Sequence, residues 1–425
     1  MGGVGLERAG GLVGRGAPDP GGQGQNPPSI LLSSAQFFPE NTALIHFLSH
    51  PVHAQTQAFD WLFAALPKNM RVIYGSPEGL DDYLPSLQKK PPALLVLFQL
   101  DYLAFWCRHF CPVVIFPMYD QSRQSPDPAL ASLREVGWIS LSRDLHQRLC
   151  ALGLDSSYIQ YAPDPKNFRP VRWGSKPQGY FWERIPRDLD GKAASDLGRQ
   201  LGGVKVKVRH LSDARLRQGG EGSFWKSRQD YLRNLGQFQV YFAPRKYEGI
   251  GMTFLEAMAM GMCVVAENAP TANEYITSGQ NGILYGGWAD KLYSPPPRSI
   301  QELRRMGMGA RETMRRIHQA WLRERGQISI VLRRTCKRFR RLSTAPHPDL
   351  LRASLEFDRQ PERLWSLVCS AQGEIWRSQE RKDRNKTSRC WSGILRQGWR
   401  HPRRTLLGIV NHLLGNSSGL RQAIF

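Results

Sequence analysis

From residue 71 to residue 162, short runs of apolar residues alternate with segments whose apolar positions recur at helical spacing. The runs Arg71–Tyr74 (RVIY), Ala93–Phe98 (ALLVLF), Val113–Pro117 (VVIFP), Trp138–Leu141 (WISL) and Tyr158–Ala162 (YIQYA) predict strands. Their apolar residues are continuous rather than alternating, as in parallel strands covered on both faces. Arg143–Leu152 (RDLHQRLCAL) predicts a helix that stops at Gly153. A second series predicts strands at Gly179–Trp182, Val204–Arg209, Val240–Pro244 and Cys263–Ala266, with helices between them. Between the two series lies Pro163 to Gly179 (PDPKNFRPVRWGSKPQG), a stretch with four prolines that reads as an inter-domain linker. The expected fold class is α/β, with two facing Rossmann-like domains and a ligand cleft where their strand ends meet. The expected boundaries are a flexible segment at 1–29, domains at 30–165 and 166–297, a basic helical segment at 298–342, and an extension of undetermined fold at 343–425.

Composition narrows this picture. A chain of 425 residues that is 41% hydrophobic and 10% aromatic supports the cores of two or three domains and excludes global disorder. No apolar run is long enough to span a bilayer, since Ala93–Trp106 is interrupted by Gln99 and Asp101. The first residues lack the apolar stretch of a secretion signal, and seven scattered cysteines suit a reducing compartment, so a cytoplasmic location is expected. The net charge of +22 is unevenly spread. Residues 298–425 hold 28 Lys+Arg against 10 Asp+Glu, whereas the preceding residues hold 30 against 26. A nearly neutral body therefore carries a basic tail.

The chemistry is concentrated in Val240 to Tyr285 (VYFAPRKYEGIGMTFLEAMAMGMCVVAENAPTANEYITSGQNGILY). The segment reads as strand, glycine-bearing loop, helix and strand, the helix running from Thr253 to Met260 and stopping at Gly261. Gly249 and Gly251 allow close approach to unpaired amides at the helix start, a setting that suits a diphosphate. Glu248 and Glu256 bracket this turn with seven residues between them. Two local alternatives stand beside a ligand role. Thr253-x-x-Glu256 and Thr271-x-x-Glu274 both match capping boxes, in which hydroxyl and carboxylate satisfy amides at a helix start.

The sequence Glu248-Gly-Ile-Gly-Met-Thr-Phe-Leu-Glu256-Ala-Met-Ala-Met-Gly261, followed by Glu274-Tyr-Ile and Gly279-Gln-Asn-Gly282-Ile-Leu, resembles the donor-binding region of retaining glycosyltransferases of the two-Rossmann-domain (GT-B) type, group 1/family 4. The resemblance implies transfer of a sugar from a nucleotide-sugar donor to a glycan or lipid-linked acceptor, without a cofactor or a metal. It implies that Glu248 contacts the transferred sugar and that Glu256 accepts the ribose hydroxyls. Amides from Gly249 through Gly251 and Met252 to Thr253 would hold sugar and diphosphate, with Glu274 as a further donor-side residue. The family's diphosphate clamp is an Arg and a nearby Lys after the first strand of the second domain. Here GYFWERIPRDLDGK offers Arg184 for the first, and Arg187 or Lys192 at irregular spacing for the second. In the first domain the family often places His-Asp or His-Gly at a strand end, where this chain has Tyr119-Asp120, the acceptor-side candidates. No glycine-rich acceptor loop is recognisable around Ser29–Asn41. These departures keep open an inactive nucleotide-sugar-binding or scaffold protein on the same fold.

Other features have plainer readings. Met252, Met258, Met260 and Met262 are expected in the core. Cys107, His109 and Cys111 lack a second ligand pair, and His46, His50 and His53 read as a surface loop. Asn385-Lys-Thr and Asn416-Ser-Ser match glycosylation acceptors that a cytoplasmic chain does not use. The basic tail is open between a solvated face and an anionic membrane surface. The membrane reading pairs Arg333, Arg334, Lys337, Arg338, Arg340 and Arg341 with Ile328, Ile330, Val331, Leu332 and Phe339, and adds the segment Arg396 to Leu414. Nucleic-acid binding has no recognisable fold or stacking pattern to support it.

Overall fold

The structure is a computed structural model that describes residues 29–31, 44–56, 59–67, 70–75, 80–185, 188–210, 227–286, 291–342, 346–357 and 359–370. The glycine-rich lead-in, Arg187, the two Asn-x-Ser/Thr sites and the segment Arg396 to Leu414 lie outside the described residues.

Seven strands form the first sheet: β1 (Ser29–Leu31), β2 (Ile45–Ser49), β3 (Met70–Tyr74), β4 (Leu94–Phe98), β5 (Val113–Phe116), β6 (Gly137–Ser140) and β7 (Ser156–Tyr158). All pair in parallel, in the order β1-β3-β2-β4-β5-β6-β7. The continuous apolar runs of β4 and β5 are buried at every residue, as a doubly covered sheet requires. The second sheet holds β8 (Gln178–Glu183), β9 (Lys205–His210), β10 (Val240–Phe242), β11 (Cys263–Glu267), β12 (Ile283–Gly286) and β13 (Lys291–Leu292) in the order β13-β12-β11-β10-β8-β9. Only β13 runs antiparallel among these described strands.

Two strand expectations need correction. His46 lies in β2, a central strand, not in a surface loop: its Nδ1 is 2.9 Å from the Tyr83 hydroxyl, and burial pushes its pKa down to about 4. His53 follows on the Val52–Thr56 helix, packed edge-on against Phe59 and Phe98, with its pKa likewise pushed down to about 4 by burial. The last strand of the first domain ends at Tyr158 rather than continuing to Ala162, because its neighbour β6 ends at Ser140, the partner of Tyr158. Tyr161 and Ala162 are still buried, but as linker residues packed into the core.

That linker is strapped down. Val171 N–H donates to the Met260 carbonyl, and Arg311 donates to the carbonyls of Pro165, Phe168 and Ala259. The Ile300–Glu324 helix covers the second domain with Leu303 and Met306, and then reaches the shared core through Ala310, Met314, Ile317 and Trp321. Trp61 stacks on Tyr161 at 3.7 Å, and Trp321 meets Trp61 edge-on at 5.1 Å, so first domain, linker and long helix close on one aromatic cluster. The following helix, Gly326–Arg338, lies on the first domain. Its Ile328, Val331 and Leu332 face inward, and Arg334 and Arg338 pair with Asp155. The apolar side expected to meet a membrane is therefore spent on the core, with Ile330 left exposed. Helices at Pro348–Leu355 and 361–370 also pack on the first domain, where Phe357 stacks on Tyr102 at 4.4 Å. Met258, Met260 and Met262 are core residues as expected, and Met252 packs against the same core.

Candidate functional site

Strand order in the second sheet reverses at β8, which has β9 on one side and β10 on the other. Doubly wound sheets bind ligands at such a switch point, beyond the carboxyl ends of the strands. Arg184 follows the end of β8 and Arg245 follows the end of β10. β8 and β10 pair in parallel as far as Phe181 opposite Phe242, so both arginines follow strands that end at the same edge of the sheet, and both act on Glu248. The chain then passes Glu248 and Gly249 and turns into the Met252–Ala259 helix through Gly251.

Gly251 adopts φ 77° and ψ 45°, a left-handed conformation that glycine enters at little cost, and its missing side chain leaves room for the Phe254 ring. At Gly249 an added Cβ would come within 2.7 Å of Met118 Sδ and 3.1 Å of Asp120 Oδ1. The glycine thus lets this loop close against the end of the first domain's β5.

Glu248 and Glu256 are 7% and 4% exposed. Burial pushes both carboxyls above the ordinary carboxylate range, and nearby guanidiniums pull them back: Arg245 and Arg184 for Glu248, Arg228 for Glu256. Arg228 donates from Nη2 to Glu256 Oε1 at 2.5 Å. The helix cap is Gly251, not Thr253, whose hydroxyl accepts instead from the buried Tyr241 hydroxyl at 3.0 Å. Glu256 is therefore not the partner of a capping threonine, and the Thr253–Glu256 box is not formed.

The second box is not formed either, and Glu274 has a different occupation. Thr271 donates to the Ile250 carbonyl, while the Glu274 carboxylate reaches the first domain. It accepts from Ser142 Oγ (2.8 Å), Arg143 N–H (2.8 Å) and the Tyr158 hydroxyl (3.1 Å). A side chain of the second domain thus caps the Arg143–Ala151 helix of the first, where the helix dipole favours an anion. Both carboxylate oxygens are committed there, away from Glu248 and Glu256. Removing this cap in Glu274→Ala is expected to lower stability by about 1–2 kcal/mol, as N-cap deletions do, with Glu274→Gln recovering part of the loss. Calorimetry of the three proteins checks this, and an unchanged melting temperature in the alanine variant would refute the cap.

Asp120 is brought directly to the site: its Oδ2 accepts from Arg245 Nη2 at 2.7 Å, and Arg245 Nη1 lies 3.6 Å from Glu248 Oε2. Arg245 thus bridges the two domains. Beside it Tyr119 packs near Tyr247, and Arg123 lies over the Tyr247 ring at 3.8 Å. Burial, with Asp144 nearby, pushes the Tyr119 pKa up to about 12. Lys192 is not brought to the two glutamates. It sits in the first turn of the Gly191–Gln200 helix, 86% exposed, and pairs with Asp196 one turn on. Arg245 and Arg228 escaped the sequence reading because their partners are 125 and 28 residues away. Only the parallel pairing of β8 with β10 brings Arg245 to the sheet edge that Arg184 also occupies.

Residues 201–293 match the family model described as Glycosyl transferases group 1. No curated protein matches the chain. Among solved structures, sucrose-phosphate synthase from Thermosynechococcus elongatus is similar at 14% identity and a TM-score of 0.50, with 69% of this chain and all of that chain covered. HepE of Anabaena, solved with UDP and glucose, is similar at 14% identity and a TM-score of 0.47, covering 68% of this chain and all of that one. The chain thus has the two-domain GT-B fold, and over residues 201–293 it is a match to the group 1 glycosyltransferases that its glutamate motif resembles.

Proposed function

We propose that the protein transfers a glycosyl group from a nucleotide sugar to an acceptor hydroxyl with retention at the anomeric carbon. The observation that carries this reading is the pair of buried carboxylates, Glu248 and Glu256, on either side of a left-handed glycine turn at the second sheet's switch point. Glu256 is suited to the vicinal hydroxyls of a ribose, since a carboxylate accepts two hydrogen bonds. Among the described residues its Oε1 is held by Arg228, and its Oε2 has no hydrogen-bond partner. Glu248 is suited to the transferred sugar, where a carboxylate favours developing oxocarbenium charge. The amides from Gly249 to Thr253, with Arg184, would take the diphosphate. The departing phosphate can itself accept the acceptor's proton, so no metal or further acid is invoked. The acceptor would approach from the first domain, past Tyr119 and Asp120. A glycan or lipid-linked acceptor on an anionic surface suits the exposed Arg333, Lys337, Arg340 and Arg341.

A thermal-shift panel of UDP, GDP, ADP and their sugars tests the reading. A ligand that binds only the folded state adds roughly 2.7 kcal/mol of stability at a hundredfold excess over its dissociation constant. Glu256→Gln removes a charged acceptor and is expected to weaken the responding nucleotide about 10- to 100-fold. A response to none of the panel refutes the reading. The second reading, binding without turnover, is favoured by Tyr119 standing where the resembled family often has histidine. It predicts stabilisation by a nucleotide sugar with neither transfer nor hydrolysis.

A further inference from the structure

The fold places Lys192 in solvent, and Arg187, the other cation expected to partner Arg184, lies outside the described residues. Arg245 satisfies the geometric requirements. It follows the end of β10, the strand next to β8, in the loop that leads through Glu248 to the helix start. Its guanidinium is only partly committed among the described residues: Nη2 donates to Asp120, Nη1 lies at ion-pair distance from Glu248, and Nε is buried with no hydrogen-bond partner. A buried N–H left unpaired is costly and needs an explanation, and an acceptor oxygen supplied by a ligand is one. The charge balance points the same way. Glu248, Asp120 and Asp188 face the two guanidiniums, so a diphosphate can settle beside Glu248 only where a guanidinium meets it directly. Arginine suits that task, because its planar fork can donate two parallel bonds to phosphate oxygens.

Resting on the glycosyltransferase reading, we propose that Arg245 is the second cation of the diphosphate site, and that Asp120 in the first domain competes with the diphosphate for it. Donor binding then exchanges an inter-domain ion pair for a protein–phosphate contact, which couples the donor site to the contact between the domains.

The test compares nucleoside diphosphates with the matching monophosphates on the full-length protein, using UDP/UMP, GDP/GMP and ADP/AMP by calorimetry. Wild type is expected to prefer one diphosphate over its monophosphate. Arg245→Gln should lose at least about tenfold of that preference while keeping monophosphate affinity, and Arg245→Lys should retain part of it. Asp120→Asn, which releases the guanidinium, should strengthen diphosphate binding and leave the monophosphate unchanged. An Arg245→Gln protein that keeps the wild-type preference overturns the proposal. So does an Asp120→Asn protein that loses diphosphate binding, since Arg245 would then be an inter-domain brace. If wild type binds none of the six nucleotides, the glycosyltransferase reading falls and this inference with it. If wild type binds and the variants do not differ, only this inference falls.

Discussion

Glu248→Gln is expected to reduce glycosyl transfer by about 10²- to 10³-fold while making the protein more stable. The loss follows from the role assigned to the carboxylate: a pre-positioned charge that acts only as positive charge develops on the sugar typically contributes on that scale. The gain follows from burial. Glu248 is nearly inaccessible and its carboxyl is held above its ordinary range, so the folded state disfavours the ionised form more than the unfolded chain does. The folded protein then binds more protons at this site than the unfolded one, and its stability falls as pH rises through the carboxylate range towards the raised value. Glutamine removes that contribution to the slope. The melting temperature of the variant should exceed wild type at neutral pH, and the two should converge as pH is lowered. Arg245 keeps Asp120 as a partner in the variant, which limits the charge left unpaired. Full transfer activity in Glu248→Gln would remove the carboxylate from the chemistry. A variant less stable than wild type at every pH would mean that the attraction of Glu248 to Arg245 and Arg184 outweighs its desolvation.

The second domain was legible because its signals are local. A helix expected at Thr253 to Met260 forms at Met252–Ala259, and Gly261, expected to end it, follows two residues later with φ 78°. The glutamate spacing sets both carboxylates on a short turn and its helix, so their convergence needs little beyond that turn. The side-chain partners were not legible, because they are settled by tertiary contacts, some within the second domain and some across the domain interface. Thr253 belongs to a capping-box pattern, yet Tyr241 from the adjoining strand takes its hydroxyl. Glu274 matches the same pattern and instead crosses about 130 residues of sequence to cap a helix in the other domain. In each case a tertiary contact outcompetes a local one of similar strength, roughly 1 kcal/mol. The first domain failed differently. Strand β2 carries His46 beside Ile45, Phe47 and Leu48, and burial keeps that imidazole neutral, so a residue that reads as polar serves a central strand.

Gly251→Ala is expected to destabilise the protein by about 2–5 kcal/mol and to abolish nucleoside-diphosphate binding. Two effects add. An alanine held at φ 77° meets the left-handed penalty of about 1–2 kcal/mol. Its Cβ would also collide with the ring of Phe254, a fully packed core residue, and overpacking of that kind costs about 1–3 kcal/mol. Gly261 supplies the control. It has nearly the same backbone conformation, φ 78°, but the nearest atom to an added Cβ is the Gly307 carbonyl oxygen at 3.7 Å, an ordinary contact. Gly261→Ala should therefore show the backbone penalty alone, and it should bind nucleotide like wild type because it lies at the far end of the helix. The difference in melting temperature between the two variants isolates the collision with Phe254. Equal losses would mean that the ring moves aside freely. Retained diphosphate binding in Gly251→Ala would mean that the amides at this helix start do not hold the ligand, and the donor would have to be sought along another edge of the cleft.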